Sequence, residues 1–244
     1  MDYIESFFNI ILLGDSCVGK TSILDRYIDN SFSVNTTITS RTVLKIKNVK
    51  MEDGSIIRIQ IRDTPGIGRF RFVSKEFYKG SDGVILIYSI TDRSSFENLS
   101  NWIKEIKDEI LLNTSIFLVG NKIDNEEHEA VSQEEGEIFA KENGLIFFEC
   151  SAKNGLNIEN IFNALIKIIY ENQLLIQRQM EEKIKRKEED KRKVEEEIKK
   201  REDEKRKVEE EKKKKEDEKR KKDDIKRKEF EKTNFNVLLK YISF

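Results

Sequence analysis

Eight residues between an apolar run and an amphipathic one constrain this chain more than any other feature. Residues 7–13 (FFNIILL) read as a strand and residues 20–29 (KTSILDRYID) as a helix. Between them Gly14-Asp15-Ser16-Cys17-Val18-Gly19-Lys20-Thr21 fits G-x-x-x-x-G-K-[ST]. In a strand–loop–helix setting such a loop turns backbone N–H groups toward phosphate oxygens. Lys20 then offsets the phosphate charge, and the Thr21 hydroxyl suits a divalent cation. An ordinary glycine-rich turn is the alternative, and the flanking strand and helix argue against it.

Further short, β-branched apolar runs follow at residues 57–61, 84–90, 116–119 and 145–149. The first of these alternates, with Ile57, Ile59 and Ile61 against Arg58, Gln60 and Arg62. It pairs with residues 43–49 through a turn at Asp53-Gly54. The other runs are continuously apolar, which marks strands covered by helices on both faces. Helical patterns fall at residues 20–29, 94–112, 133–143 and 158–171. Such alternation predicts a mostly parallel α/β sheet, whose ligands sit at the carboxyl ends of the strands.

Two later loops fall at those ends. Asn121-Lys122-Ile123-Asp124 follows a strand ending at Val119, and Ser151-Ala152-Lys153 follows the last strand. The Asp124 carboxylate suits guanine, whose N1–H and 2-amino group are both donors. Adenine would leave a desolvated carboxylate facing an acceptor nitrogen, at a cost on the order of several kcal/mol.

With those motifs in place, residues 7–172 resemble a small GTPase of the Ras superfamily, nearest the Rab branch. The resemblance is carried by GDSCVGKTS, DTPG, RFRF, YKGSDGVILIYSITDRSSFENLSNW, GNKID and ECSAKN, in family order and spacing, over about two thirds of the chain. It implies a P-loop NTPase (Ras-like) fold with a mostly parallel six-stranded sheet flanked by helices, and GTP, GDP and Mg²⁺ as ligands. By that resemblance Asp15, Ser16, Cys17, Val18, Gly19, Lys20, Thr21 and Ser22 surround the phosphates. Phe32 lies against the guanine edge, Lys122 lies along the base, and the Ala152 N–H reaches its oxygen. Asn121, Asp124, Ser151 and Lys153 complete the base site. Thr39, eighteen residues after Thr21, closes on Mg²⁺ with Thr21, and Asp63 holds the ion through a water. The Gly66 N–H senses the γ-phosphate, so Lys20, Thr39 and Gly66 carry whatever hydrolysis occurs. Exchange factors and effectors are the implied protein partners.

Departures from the family pattern bear on activity. After Thr39 the chain reads Ser40-Arg41 where Ile-Gly is usual, which makes Ser40 a rival metal ligand. Arg62 replaces a residue that is usually aromatic, and Pro65 replaces an alanine. Ile67 and Gly68 stand where glutamine and glutamate are usual. The glutamine orients the attacking water, and isoleucine has neither donor nor acceptor to do so, so slow or partner-dependent hydrolysis is expected. Some GTPases with a D-T-P-G turn and an apolar next residue use other groups, which is the competing reading.

The charge is unevenly distributed. Residues 178–232 hold 26 basic and 21 acidic residues, near +5, which leaves the rest of the chain near −6 of the total −1. The expected organisation is a GTPase domain over residues 1–174, a charged helical extension over 175–232 and a short apolar segment over 233–244. Two cysteines suit a reducing compartment, and with no leader and no apolar run near the roughly 18 residues that span a bilayer, a cytoplasmic protein is expected. His128, the single histidine, reads as an exposed loop residue, Cys17 as a small filler and Cys150 as core. No metal cluster, catalytic triad or nucleic-acid motif competes.

Within the extension, EEDKRK (188–193), EDEKRK (202–207) and EDEKRK (216–221) recur every 14 residues. Many acids precede a base by four, as in Glu188 and Arg192 or Glu195 and Lys199, the order that supports an isolated helix. A coiled-coil seam is thin, with Met180, Ile184, Val194, Ile198 and Val208 at a/d positions. A lone helix is favoured over a weak coiled-coil dimer or disorder. The chain ends KYISF without a cysteine, so a direct prenyl anchor is not expected. Phe235, Leu238, Leu239 and Ile242 instead form a short apolar stripe, suited to a partner's groove, a membrane surface or the chain's own domain. Two functions follow: a nucleotide switch in vesicle transport, peripheral at endomembranes, and a GTP-bound scaffold whose helical tail presents a partner-binding end.

Overall fold

Alternation of short apolar strands with amphipathic helices is realised along the chain. The computed structural model describes residues 4–34, 38–66, 78–111 and 113–242. In order it contains β1 (Ile4–Leu13), α1 (Lys20–Asp29), β2 (Val43–Lys50), β3 (Ile56–Asp63), β4 (Gly83–Ser89), α2 (Arg93–Glu97) and α3 (Leu99–Glu109). These are followed by β5 (Ser115–Asn121), a 3-10 turn at Glu126–His128, α4 (Gln133–Asn143), β6 (Ile146–Cys150) and α5 (Ile158–Ile242).

Among the described residues the strands form one six-stranded sheet in the order β2-β3-β1-β4-β5-β6. Only β2–β3 is antiparallel. Its turn falls where Asp53-Gly54 predicted it: the Asp53 carboxylate accepts from the Ser55 N–H and hydroxyl, and Gly54 takes φ 88°. The chain leaves β1 on one side toward β3 and β2, and on the other toward β4, β5 and β6. That reversal opens a crevice outside the carboxyl ends of β1 and β4.

Period-2 alternation divides each central strand between two cores. Ile10, Leu12, Ile85 and Ile87 face α1 and the start of α5, with Ile23, Leu24, Tyr27, Phe162 and Leu165. Ile11, Leu13, Val84, Leu86 and Tyr88 face α2, α3 and α4, with Phe96, Leu99, Trp102 and Ile106. Ile57, Ile59 and Ile61 are fully buried while Arg58, Gln60 and Arg62 are half-exposed, as the alternation predicted.

One element differs from expectation. The pattern over 94–112 predicts a single helix, but Asn98 divides it into α2 and α3. Asp92 caps α2 by accepting from the Ser94 N–H at 3.1 Å, and the Asn98 N–H bonds back to Ser94 and Phe96 carbonyls. The Asn98 side chain meanwhile bonds Asp15 across 83 positions, a tertiary tie that local periodicity does not encode.

Backbone packing divides the chain into Met1–Ile176 and Gln177–Phe244. In the first unit α5 buries Ile158, Ile161, Phe162, Leu165, Ile166 and Ile169. In the second, side chains through residue 228 are exposed, and the helix runs on to Ile242, so the apolar stripe ending there is helical in backbone. Among the described residues no helix is long and apolar enough to cross a membrane.

Phe162 is fully buried and stacks on Tyr27, ring centroids 3.8 Å apart. Phe162→Ala is expected to lower unfolding free energy by about 3–5 kcal/mol, whereas Val194→Ala, exposed on the charged helix, should leave the urea midpoint unchanged.

Candidate functional site

The loop joining β1 to α1 is shaped by glycines that admit no side chain. Gly14 takes φ 133°, and a Cβ there would lie 2.0 Å from the Ile87 carbonyl oxygen of β4. Gly19 takes φ 100°, and a Cβ there would lie 2.2 Å from the Asn121 amide nitrogen. Cys17 is also left-handed, at φ 64°. Successive reversals of this kind make a concave run of backbone that suits an anion, at the positive end of α1. Lys20, 5% exposed, folds across the loop and donates to the carbonyls of Gly14 (2.9 Å) and Asp15 (2.7 Å).

This loop forms one wall of a cavity of about 430 Å³. Of the residues assigned to nucleotide from the sequence, Ser16, Cys17, Gly19, Lys20, Thr21 and Ser22 line it. So do Phe32, Thr39, Gly66, Asn121, Lys122, Asp124, Ala152 and Lys153. Three do not. The Val18 side chain is buried in the core. The Asp15 carboxylate turns away to Asn98 and Trp102. Ser151 stands behind Asp124, donating to its Oδ1 at 2.6 Å. Ser33, Val34, Ile38 and Asn125 line the cavity without having been anticipated.

The base-side loops are locked to the phosphate loop. Asn121 donates from Nδ2 to the Val18 carbonyl (2.9 Å), while its Oδ1 accepts from the Ala152 N–H (3.2 Å). Lys122 donates to the Cys17 carbonyl at 2.7 Å. Asp124 is oriented by Ser151 and by Lys153, whose Nζ lies 3.4 Å from Oδ2. Arg26 of α1 was not anticipated: it donates to the carbonyls of Ala152 (2.9 Å) and Lys153 (2.7 Å). No local sequence signal marks this role, because these two carbonyls lie more than 120 positions away.

The three residues assigned to a cation meet. The Thr21 hydroxyl donates to Asp63 Oδ2 at 2.5 Å, and Thr39 Oγ1 lies 2.8 Å from Thr21 Oγ1. Ser40 is exposed and does not line the cavity. Asp63 is fully buried, its Oδ1 has no hydrogen-bond partner, and burial lifts its carboxyl above the usual range. A buried, unsatisfied carboxylate oxygen beside two hydroxyls is a set of hard oxygen donors, which fits Mg²⁺. Gly66 completes this end: a Cβ on it would lie 2.3 Å from the Ser16 nitrogen, so only glycine allows the approach. Ile67, Gly68 and the RFRF stretch lie outside the described residues. His128 is exposed, Cys17 is an exposed free thiol and Cys150 a buried one, whose burial pushes its thiol up.

Comparisons with known proteins bear on the family of the chain. A Ras family model matches residues 9–171. Ras-related protein Rab-13 of Mesocricetus auratus is 40% identical over 166 residues, covering 68% of this chain and 81% of its own length. Ras-related protein RABE1d of Arabidopsis thaliana is 41% identical over 169 residues, 69% of this chain and 77% of its own. Ras-related protein RGP2 of Oryza sativa subsp. japonica is 39% identical over 163 residues, 67% and 75% respectively.

In nucleotide-free, metal-free protein the folded state holds the Asp63 proton more tightly than the unfolded chain does. Native stability therefore falls as pH rises from the ordinary aspartate range, about 4, through the raised folded value. Asp63→Asn has no charge to bury, so in EDTA it is expected to be more stable than wild type at pH 7 and to lose that advantage below about pH 4. A stability difference independent of pH in urea titrations would contradict this.

Proposed function

Because this chain belongs to the Ras family, within which it is a Rab-like small GTPase, we propose that it holds GTP or GDP with Mg²⁺ in the cavity described above and cycles slowly between them. The arrangement of Asp124, the phosphate loop and the Thr21–Asp63 pair around one cavity carries this reading. Asp124, already aligned by Ser151 and Lys153, accepts from guanine's two edge donors. Lys20 exchanges its bonds to loop carbonyls for β- and γ-phosphate oxygens, and the Gly66 N–H reports whether a γ-phosphate is present. Thr21, Thr39 and Asp63 would hold Mg²⁺, which when bound neutralises phosphate charge.

Water alignment is where this chain is poorly equipped. The Ile67 side chain has no polar atom to hold the attacking water, so hydrolysis rests on phosphate-charge stabilisation, on other groups or on those a partner supplies. Even with glutamine at that position Ras itself turns over on the order of 10⁻⁴ s⁻¹ unaided. The competing scaffold reading is favoured by the same residue: a chain that retains GTP presents one state continuously, and its tail offers the partner-binding end. Exchange factors, effectors, vesicle transport and peripheral endomembrane association belong to the switch reading.

The charged extension is proposed to act as a single helix in a monomer. Its heptads place Ile184 and Ile198 at a and Val194 and Val208 at d. Residues 195–197, 202–204 and 209–211, all acidic, then fall at e, f and g. A second copy would set acid against acid across the seam, and Lys187, Lys191, Arg201 and Lys205 would be buried within it. Within one helix the same charges pair, as Glu197 with Arg201 (2.9 Å) and Glu209 with Lys213 (3.8 Å), each worth about 0.2–0.5 kcal/mol.

Calorimetry in Mg²⁺ is expected to give GDP and GTP binding with ATP excluded, and Asp124→Ala should weaken GDP by about 100-fold or more. Equal ATP binding would overturn the nucleotide assignment. Single-turnover hydrolysis is expected at or below roughly 10⁻⁴ s⁻¹, and a rate near 10⁻² s⁻¹ without a partner would remove the slow-enzyme reading. Pull-downs loaded with GDP and with a non-hydrolysable GTP analogue separate switch from scaffold, because a scaffold captures the same proteins in both states. Sedimentation should give a monomer mass at every concentration.

A further inference from the structure

The phosphate loop reaches its shape through three left-handed residues, one of which, Cys17, is not glycine. Neighbouring groups must therefore hold it. Asn121 and Lys122 do so from the cavity wall, gripping the Val18 and Cys17 carbonyls. Asp15 is held differently. Its Oδ2 accepts from Asn98 Nδ2 at 2.7 Å and its Oδ1 from the Trp102 indole N–H at 2.9 Å. Neither donor lines the cavity, and both lie at the junction of α2 and α3.

Packing holds the second of these donors. Trp102 is 1% exposed within the core formed by Leu99, Ile103 and Ile106, so its N–H has one direction available. Asn98, which ends α2 and precedes α3, brings its side-chain amide within 2.7 Å of the carboxylate. On the opposite side the backbone of Asp15 and Ser16 abuts Gly66, whose missing Cβ would lie 2.4 Å from the Asp15 carbonyl carbon and 2.3 Å from the Ser16 nitrogen. Asp15 thus stands between a fixed pair of donors and the glycine that faces the terminal phosphate.

We propose that Asn98 and Trp102 are positioning residues for nucleotide retention, acting through the Asp15 carboxylate to hold the entrance of the phosphate loop against Gly66. This rests on the cavity being a guanine-nucleotide site. Releasing either donor lets residues 15 and 16 drift, which misaligns the backbone toward the phosphates and disturbs the contact with Gly66. The consequence is faster loss of bound nucleotide, with base recognition at Asp124 untouched.

The test is release of a fluorescent GDP analogue in Mg²⁺ from the full chain. Trp102→Phe keeps the aromatic body and removes the donor, and Asn98→Ala removes the other. Each is expected to speed release about tenfold, the scale of one hydrogen bond to a charged group. In an Asp15→Ala background neither should add anything. Ile106→Val, in the same helix and fully buried, lowers the urea midpoint but leaves release unchanged, which separates positioning from general stability. Should Trp102→Phe fail to fold, Asn98→Ala with Asp15→Ala carries the same cycle. Wild-type release rates in Asn98→Ala and Trp102→Phe, or effects that persist undiminished without Asp15, overturn the proposal alone. Failure of wild type to bind GDP overturns the nucleotide reading beneath it.

Discussion

The Asn121 side chain is the joint on which the site depends. One amide end donates to the loop after β1 and the other accepts from the loop after β6, while its own backbone ends β5. Three carboxyl-terminal loops are thereby fixed to one another by a buried planar group with two directional ends. Gly19 exists to admit it, since any Cβ there would collide with the Asn121 nitrogen. Lys122 and Arg26 repeat the principle at the periphery, each spanning elements distant in sequence. The sheet therefore supplies three anchored loop ends, and a few polar side chains turn them into a cavity.

The opposing constraint is the buried Asp63 carboxylate. A carboxylate at zero exposure with one oxygen unpartnered destabilises the fold unless a cation or proton meets it. The hydroxyls of Thr21 and Thr39 converge on the same point from α1 and from the segment before β2. Under the proposed function, occupancy of such a site would be linked to the position of residue 39, the physical requirement for a ligand to bias one conformation over another.

Much of this was legible in the sequence because the signals were local. α4 begins at a reciprocal Ser132–Glu135 capping box and ends at left-handed Gly144, and its bounds match those read from pattern alone. The strand cores followed from period-2 alternation, and the phosphate and base motifs fell at strand ends where α/β topology requires them. What was not legible is tertiary. Asp15 looks like a phosphate-loop ligand in the motif, yet its carboxylate serves Asn98 and Trp102, more than 80 positions on. Helical periodicity over 94–112 is genuine on both sides of Asn98 and hides the break between α2 and α3. Ser151 reads as a base contact by position, and its bond to Asp124 is a further tie that position alone does not give.

The extension obeys a simpler rule. Acidic triplets recur every seven residues from 188 to 218 with basic runs between them, so many acids find a base one turn further along the same helix. Deleting or duplicating one fourteen-residue repeat, such as 202–215, re-creates the order of charges at the splice. The length of this segment can accordingly change in steps of about four turns, about 21 Å each, without disturbing the charge pairing along the helix.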